Sequence, residues 1–121
     1  MLGLFGLFGR SKEIQALDFA IRAEGLHPRL VPDAVKMTVV RLVRDAGLDD
    51  VTPAAPLLVH CIVGPDEHAA SVGPDGAAAV TERITVATEA GDSLDARLVL
   101  LCMTAAIIHP DVVEDHGLNR G

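Results

Sequence analysis

The chain has 121 residues, half of them hydrophobic, with no tryptophan or tyrosine and a formal net charge of −7. A single domain of this length buries roughly two thirds of its unfolded surface, so it needs neither disulfides nor a structural metal to fold. The negative charge argues against general nucleic-acid binding, which requires a basic surface to neutralise phosphates.

Residues 1–10 form an apolar N-terminal arm that ends at Arg10. The run is too short to span a bilayer, and no basic residue precedes it as in a secretory signal. We expect the arm to cover the helical domain or a partner, to insert at a membrane interface beside Arg10 and Lys12, or to recognise another protein. The interacting side chains are expected to be Leu4, Phe5, Leu7 and Phe8.

An amphipathic helix is predicted directly after the arm. Ser11 is a suitable N-cap, and Ile14, Leu17 and Ile21 recur at steps of three and four, which places them on one face. Gly25 is a suitable residue to end this helix.

A second helix is predicted over residues 33–47, because Pro32 suits its first turn and Gly47 its end. The side opposite its apolar stripe mixes basic and apolar residues, so we expect both sides of this helix to contact something. The predicted interaction surface here consists of Lys36, Met37, Val40, Arg41 and Arg44.

Two segments fit either a helix or a strand. Residues 57–63 are an apolar-leaning run between proline and glycine residues, which is compatible with a buried strand. Residues 80–88 alternate apolar and polar side chains, but the preceding alanines together with Glu82 and Glu89 favour a helix. We predict helices for both segments, with an α+β fold that has strands there as the alternative.

The stretch 94–108 is the most informative part of the chain. Every residue from Leu98 to Ile108 is apolar except Thr104. A helix that is apolar on all sides is buried on all sides, and this one is too short to cross a membrane. We therefore predict an all-α bundle of four to five helices around a buried central helix at about 94–108.

The predicted organisation is one helical domain at 11–117, between the arm at 1–10 and a frayed tail at 118–121. Its charge is divided unevenly. Residues 1–47 contain seven Lys or Arg and five Asp or Glu, whereas residues 48–121 contain three and twelve. This division is typical of two surfaces that dock, within or between chains, although acidic residues can also simply solvate helix faces.

The residues best suited to chemistry are His60, Cys61 and His68, but their spacing matches no metal-binding motif. We expect His60 to be a core or interface histidine with one satisfied ring nitrogen. Cys61 and Cys102 lie in apolar runs, which disfavours a reactive thiolate and indicates buried free thiols. We predict no catalytic residue, cofactor or metal ligand.

The leading hypothesis is a non-enzymatic cytoplasmic protein that acts by protein–protein association, most simply as a homodimer. The first alternative is a peripheral membrane module anchored by residues 1–10. The second is a metal-binding protein or Cys/His enzyme with its site around His60 and Cys61.

Overall fold

A computed structural model of the chain describes residues 11–118, which contain seven α-helices, one 3-10 turn and no strand. The helices are α1 (Lys12–Ala23), α2 (Asp33–Asp45), α3 (Ala54–Val63), α4 (Pro65–Val72), α5 (Pro74–Ala90), α6 (Leu94–Thr104) and α7 (Pro110–His116), and the 3-10 turn (Pro28–Leu30) lies between α1 and α2.

The all-α prediction is confirmed, and the alternative strands at 57–63 and 80–88 are wrong, because these residues lie in α3 and α5. The described part of the chain has more helices than the predicted four to five. The two shortest, α4 and α7, each begin at a proline, which fits the first turn of a helix because its missing N–H has no partner there anyway.

The first helix forms as its sequence predicts. The side chain of Ser11 accepts a hydrogen bond from the backbone N–H of Ile14 at 3.2 Å, so Ser11 caps the helix. Ile14, Leu17 and Ile21 are all buried and form its core face.

Helices α1 and α2 are an antiparallel pair. Asp18 of α1 contacts Lys36 of α2, and Glu13, nearer the start of α1, contacts Arg44, nearer the end of α2. The pair lies on one side of α3 and α6, because α1 packs against α3 and α2 packs against α6. Helix α5 also packs against both α3 and α6.

The central helix is α3, not the stretch 94–108. Seven of the ten α3 residues are buried, and the helix packs against α1, α4, α5 and α6. The expected central helix ends at Thr104, after which Ala106 takes a left-handed backbone conformation with φ of 60°. Within it Leu100 is 59% exposed, so one flank of α6 faces outward. An apolar run shows that a segment prefers burial, but the number of neighbouring helices decides how much of it is covered.

Candidate functional site

Lys36, predicted on the outer surface of α2, is buried with only 2% of its side chain exposed. Its Nζ donates to Asp18 Oδ1 at 2.9 Å and to the carbonyl oxygen of Pro28 at 3.2 Å, and it lies 3.6 Å from Asp33 Oδ1. A buried ammonium is stable only when such partners replace water. Lys36 therefore joins α1, the 3-10 turn and α2 instead of facing a partner.

Val40 is also buried, as part of the main core. It belongs to the inner side of α2, so it and Lys36 do not form the exterior that the sequence predicts for them. The other three predicted residues of α2 are exposed or partly exposed: Met37, Arg41 and Arg44. Arg44 donates to Glu13 at 3.0 Å across the α1–α2 pair, and both side chains of this ion pair remain accessible to water.

Sequence reasoning missed two exposed apolar side chains. Phe19 of α1 is 76% exposed and Leu30 of the 3-10 turn is 66% exposed, and with Met37 at 61% they are the three most exposed large apolar residues of the described part. The sequence does indicate that Phe19 is exposed. Phe19 is out of phase with the buried Ile14, Leu17 and Ile21, so it lies on the opposite face of α1.

The three exposed apolar residues are close in sequence to residues of the Lys36 network. Met37 follows Lys36 in the chain, Phe19 follows Asp18, and Leu30 lies two residues after Pro28. Because Asp18 and the Pro28 carbonyl both bind Lys36 Nζ, the backbones that carry the apolar side chains are held together there. We call this surface the α1–α2 face and define it as Phe19, Leu30, Met37, Arg41 and Arg44.

An open cleft of about 620 Å³ lies beside Lys36. Its lining includes Arg22 and Arg29 together with the carboxylates Asp18 and Asp33, and none of the five residues of the α1–α2 face. The mixed signs of charge give the cleft no preference for a small anion.

The predicted interaction residues of the arm, Leu4, Phe5, Leu7 and Phe8, lie outside the described residues 11–118. Their role stays a prediction. Leu118, which the sequence assigns to the tail, packs against the core, and its backbone N–H donates to the Val113 carbonyl at 2.9 Å.

A network of three polar side chains lies inside the otherwise apolar core. His60 of α3 and His68 of α4 approach each other with their Nδ1 atoms 3.0 Å apart, and their rings are nearly perpendicular at 80°. His68 Nε2 lies 2.8 Å from Glu24 Oε1 at the end of α1. The two histidines are buried, with 1% and 0% exposure, so the expectation of a core histidine with a satisfied ring nitrogen is confirmed for His60.

This geometry places one proton, because the carboxylate of Glu24 accepts and the Nε2–H of His68 therefore donates to it. Burial, followed by the nearby His68 and His116, lowers the pKa of His60 to about 4, and Asp115 opposes this shift. His60 is therefore neutral near pH 7.

The two cysteines meet between α3 and α6. Cys61 and Cys102 are free and buried. A hydrogen bond with Cys102 and burial raise the pKa of the Cys61 thiol, so it is not a thiolate near pH 7. This removes the physical basis for a Cys61 nucleophile beside His60. Nor does any group of three or more His, Cys, Asp or Glu side chains converge on a metal-sized site between residues 11 and 118.

Comparison of the chain with models of known protein families, with curated proteins and with solved structures finds no match. Across the described residues, no helix combines the length and the apolar character needed to cross a bilayer.

Proposed function

We propose that the protein acts by association through the α1–α2 face, and that a second copy of the chain is a partner. The observation that carries this proposal is that the three most exposed large apolar residues of the described part, Phe19, Leu30 and Met37, each lie within two positions of a residue in the Lys36 network. Apolar side chains scattered singly over a surface need no explanation, but larger exposed apolar patches mark protein-binding sites.

The composition of the α1–α2 face supports the same role. Exposed aromatic, Met and Arg side chains are enriched in protein interfaces, and this face contains Phe19, Met37, Arg41 and Arg44. Arg41 has no acidic partner among the described residues, so its charge can attract and pair with an acidic surface of the partner. The proposal includes a cytoplasmic location, which the free thiols Cys61 and Cys102 support.

Sedimentation velocity of the full chain tests this proposal over roughly 1 to 300 micromolar, a range that reaches weak interfaces. We expect the weight-average mass to rise with concentration and expect Phe19→Asp or Met37→Asp to reduce that rise. Leu100→Asp is the matched control, because Leu100 is an exposed large apolar residue on α6, away from this face. A chain that stays monomeric over the whole range would overturn the proposal.

The alternative is a peripheral membrane role for residues 1–10, for which the sequence provides the apolar run followed by Arg10 and Lys12. Co-flotation with vesicles of phosphatidylcholine and phosphatidylglycerol tests it. Under this alternative, the wild-type chain floats with the vesicles and the variant Phe5→Asp/Phe8→Asp does not. Equal flotation of both chains, or of neither, would remove the alternative.

A further inference from the structure

The outer face of α5 is exposed in the described part of the chain. The buried residues of α5 are Ala77, Val80, Ile84 and Ala87. Glu82, Val86 and Glu89 lie on the opposite side of the helix, at a spacing of four and three residues, and Val86 is 53% exposed. We call these three residues the α5 stripe. Helix α5 itself contains one basic residue, Arg83, and this is not part of the stripe.

Arg83 cannot neutralise the α5 stripe. Its Nε and Nη2 donate to the two carboxylate oxygens of Asp95 at 3.0 and 2.9 Å, and its Nη1 donates to the carbonyl of Pro53. Within residues 11–118 neither Glu82 nor Glu89 has an ion pair or a side-chain hydrogen bond. The stripe therefore presents two unneutralised carboxylates on either side of an apolar side chain.

The α5 stripe is opposite in charge to the exposed part of α2. On α2, Met37, Arg41 and Arg44 also follow at four and three residues, so each set spans roughly 10 Å of helix. The α2 set runs apolar, basic, basic and the α5 set runs acidic, apolar, acidic, so the two sets complement each other in net charge and not residue by residue. Arginine forms charge-assisted hydrogen bonds with carboxylates; Arg41 has no acidic partner among the described residues, and the pair of Arg44 with Glu13 is accessible to water.

We propose that the α5 stripe of one copy is the surface that the α1–α2 face of another copy binds. This inference rests on the proposed function, since it names the partner surface for that face. The charge division along the chain supports it: the basic residues of the first half and the acidic residues of the second half become the two sides of one contact.

The contact joins two different surfaces, which lie on helices that both pack against α6. If both surfaces of one copy meet the same neighbour, a symmetric dimer forms; if they meet two neighbours, growth continues past a dimer unless a ring closes. A contact through single helix faces is small, and we expect a dissociation constant of roughly 10 to 1,000 micromolar that weakens as salt is added.

Charge exchange between the two surfaces tests the inference in the full chain by sedimentation velocity. We expect Arg41→Glu/Arg44→Glu and, separately, Glu82→Lys/Glu89→Lys to weaken self-association by about tenfold or more, because each leaves like charges in contact. All four changes in one chain exchange the signs on both sides, and we expect them to restore association to within about threefold of wild type. A mixture of the two double variants is expected to associate as well.

Asp49→Lys/Glu114→Lys is the matched control for Glu82→Lys/Glu89→Lys, because it makes the same change in net charge at two exposed sites outside both surfaces. We expect it to leave the association constant within about twofold. Far-UV circular dichroism checks that each variant folds. If the wild type associates but neither the four-fold variant nor the mixture recovers association, the α5 stripe is not the partner surface, while the proposed function stands. If the wild type is monomeric, the proposed function itself fails.

Discussion

The Nδ1 atoms of His60 and His68 lie 3.0 Å apart inside an aliphatic core. On the far side of His68, Nε2 lies 2.8 Å from Glu24 Oε1, so His68 bridges His60 and the carboxylate. A second proton on His60 would place a charge where only 1% of the residue reaches water. The network is therefore a source of acid sensitivity in this fold.

Stability is expected to fall on acidification because of His60. Its pKa is about 4 in the folded protein against an ordinary value of 6.5, so the unfolded chain binds the proton more readily. The contribution of neutral His60 to the free energy of unfolding is intact above pH 6.5. Up to about 3 kcal/mol of it is lost as the pH falls towards 4. Burial also lowers the pKa of His116, which adds to the loss in the same direction.

Urea unfolding at several pH values between 6.5 and 4 measures this loss. His60→Asn serves as the comparison, because it removes the titrating group while the carboxylates that also titrate here remain. We expect the free energy of unfolding of His60→Asn to depend less steeply on pH than that of the wild type. An identical pH dependence of the free energy of unfolding in the two proteins would show that His60 is not the source of the acid sensitivity.

Lys36→Met is expected to destabilise the fold, because it removes the ammonium that Asp18 and the Pro28 carbonyl bind. Asp18 is partly accessible, so we expect a loss of about 2 to 3 kcal/mol, at or below the lower end for breaking a buried pair. Arg41→Met is the control, since it removes an exposed charge from the same helix and is expected to change stability by less than about 0.5 kcal/mol. Equal effects in denaturant unfolding would contradict the structural role of Lys36.

Arg83→Lys is expected to cost about 1 to 2 kcal/mol although it keeps the charge. Lysine cannot reproduce the two parallel hydrogen bonds to Asp95 together with the bond to the Pro53 carbonyl. Arg97→Lys is the matched control, because the Arg97–Asp92 pair is largely exposed and is worth little. Thermal unfolding measures the stability of both variants. A loss of stability in Arg97→Lys as large as in Arg83→Lys would argue against the stabilising role of the Arg83 hydrogen bonds.

Gly25→Ala is expected to be the most damaging of these changes. Gly25 has φ of +99°, and an added Cβ would collide with the side chain of Ser71, where α4 meets the end of α1. We expect a loss of more than about 3 kcal/mol, combining backbone strain with overpacking. Gly47→Ala isolates the strain, since Gly47 has φ of +81° with open space around it, and should cost about 1 to 2 kcal/mol.

The collision at Gly25 can be tested separately from the strain. Ser71→Gly removes the atoms that a Cβ added at Gly25 would meet, so the double variant Gly25→Ala/Ser71→Gly is expected to recover part of the loss. Unfolding free energies of the single and double variants form a double-mutant cycle. Strictly additive losses would show that the contact between Gly25 and Ser71 is not tight.

Much of the candidate site could not be predicted from the sequence. Met37, Arg41 and Arg44 were predicted on the surface and are exposed, because their phase on α2 opposes its apolar stripe. Lys36 was predicted with them, yet its burial depends on Asp18 and Pro28, which belong to other elements. A charged residue at the edge of a helix face is exposed or buried according to partners that the helix itself does not contain.

The sequence by itself determined the all-α fold and the α1 core face, because caps, glycine ends and apolar periodicity act within one helix. Only the tertiary structure decided that α3, not the predicted central helix at 94–108, is enclosed by its neighbours. It also decided that Glu24, His60 and His68 meet, although 44 positions separate Glu24 from His68. The physical reason is that periodicity shows which face of a helix prefers burial, whereas the packing of distant helices decides what covers that face.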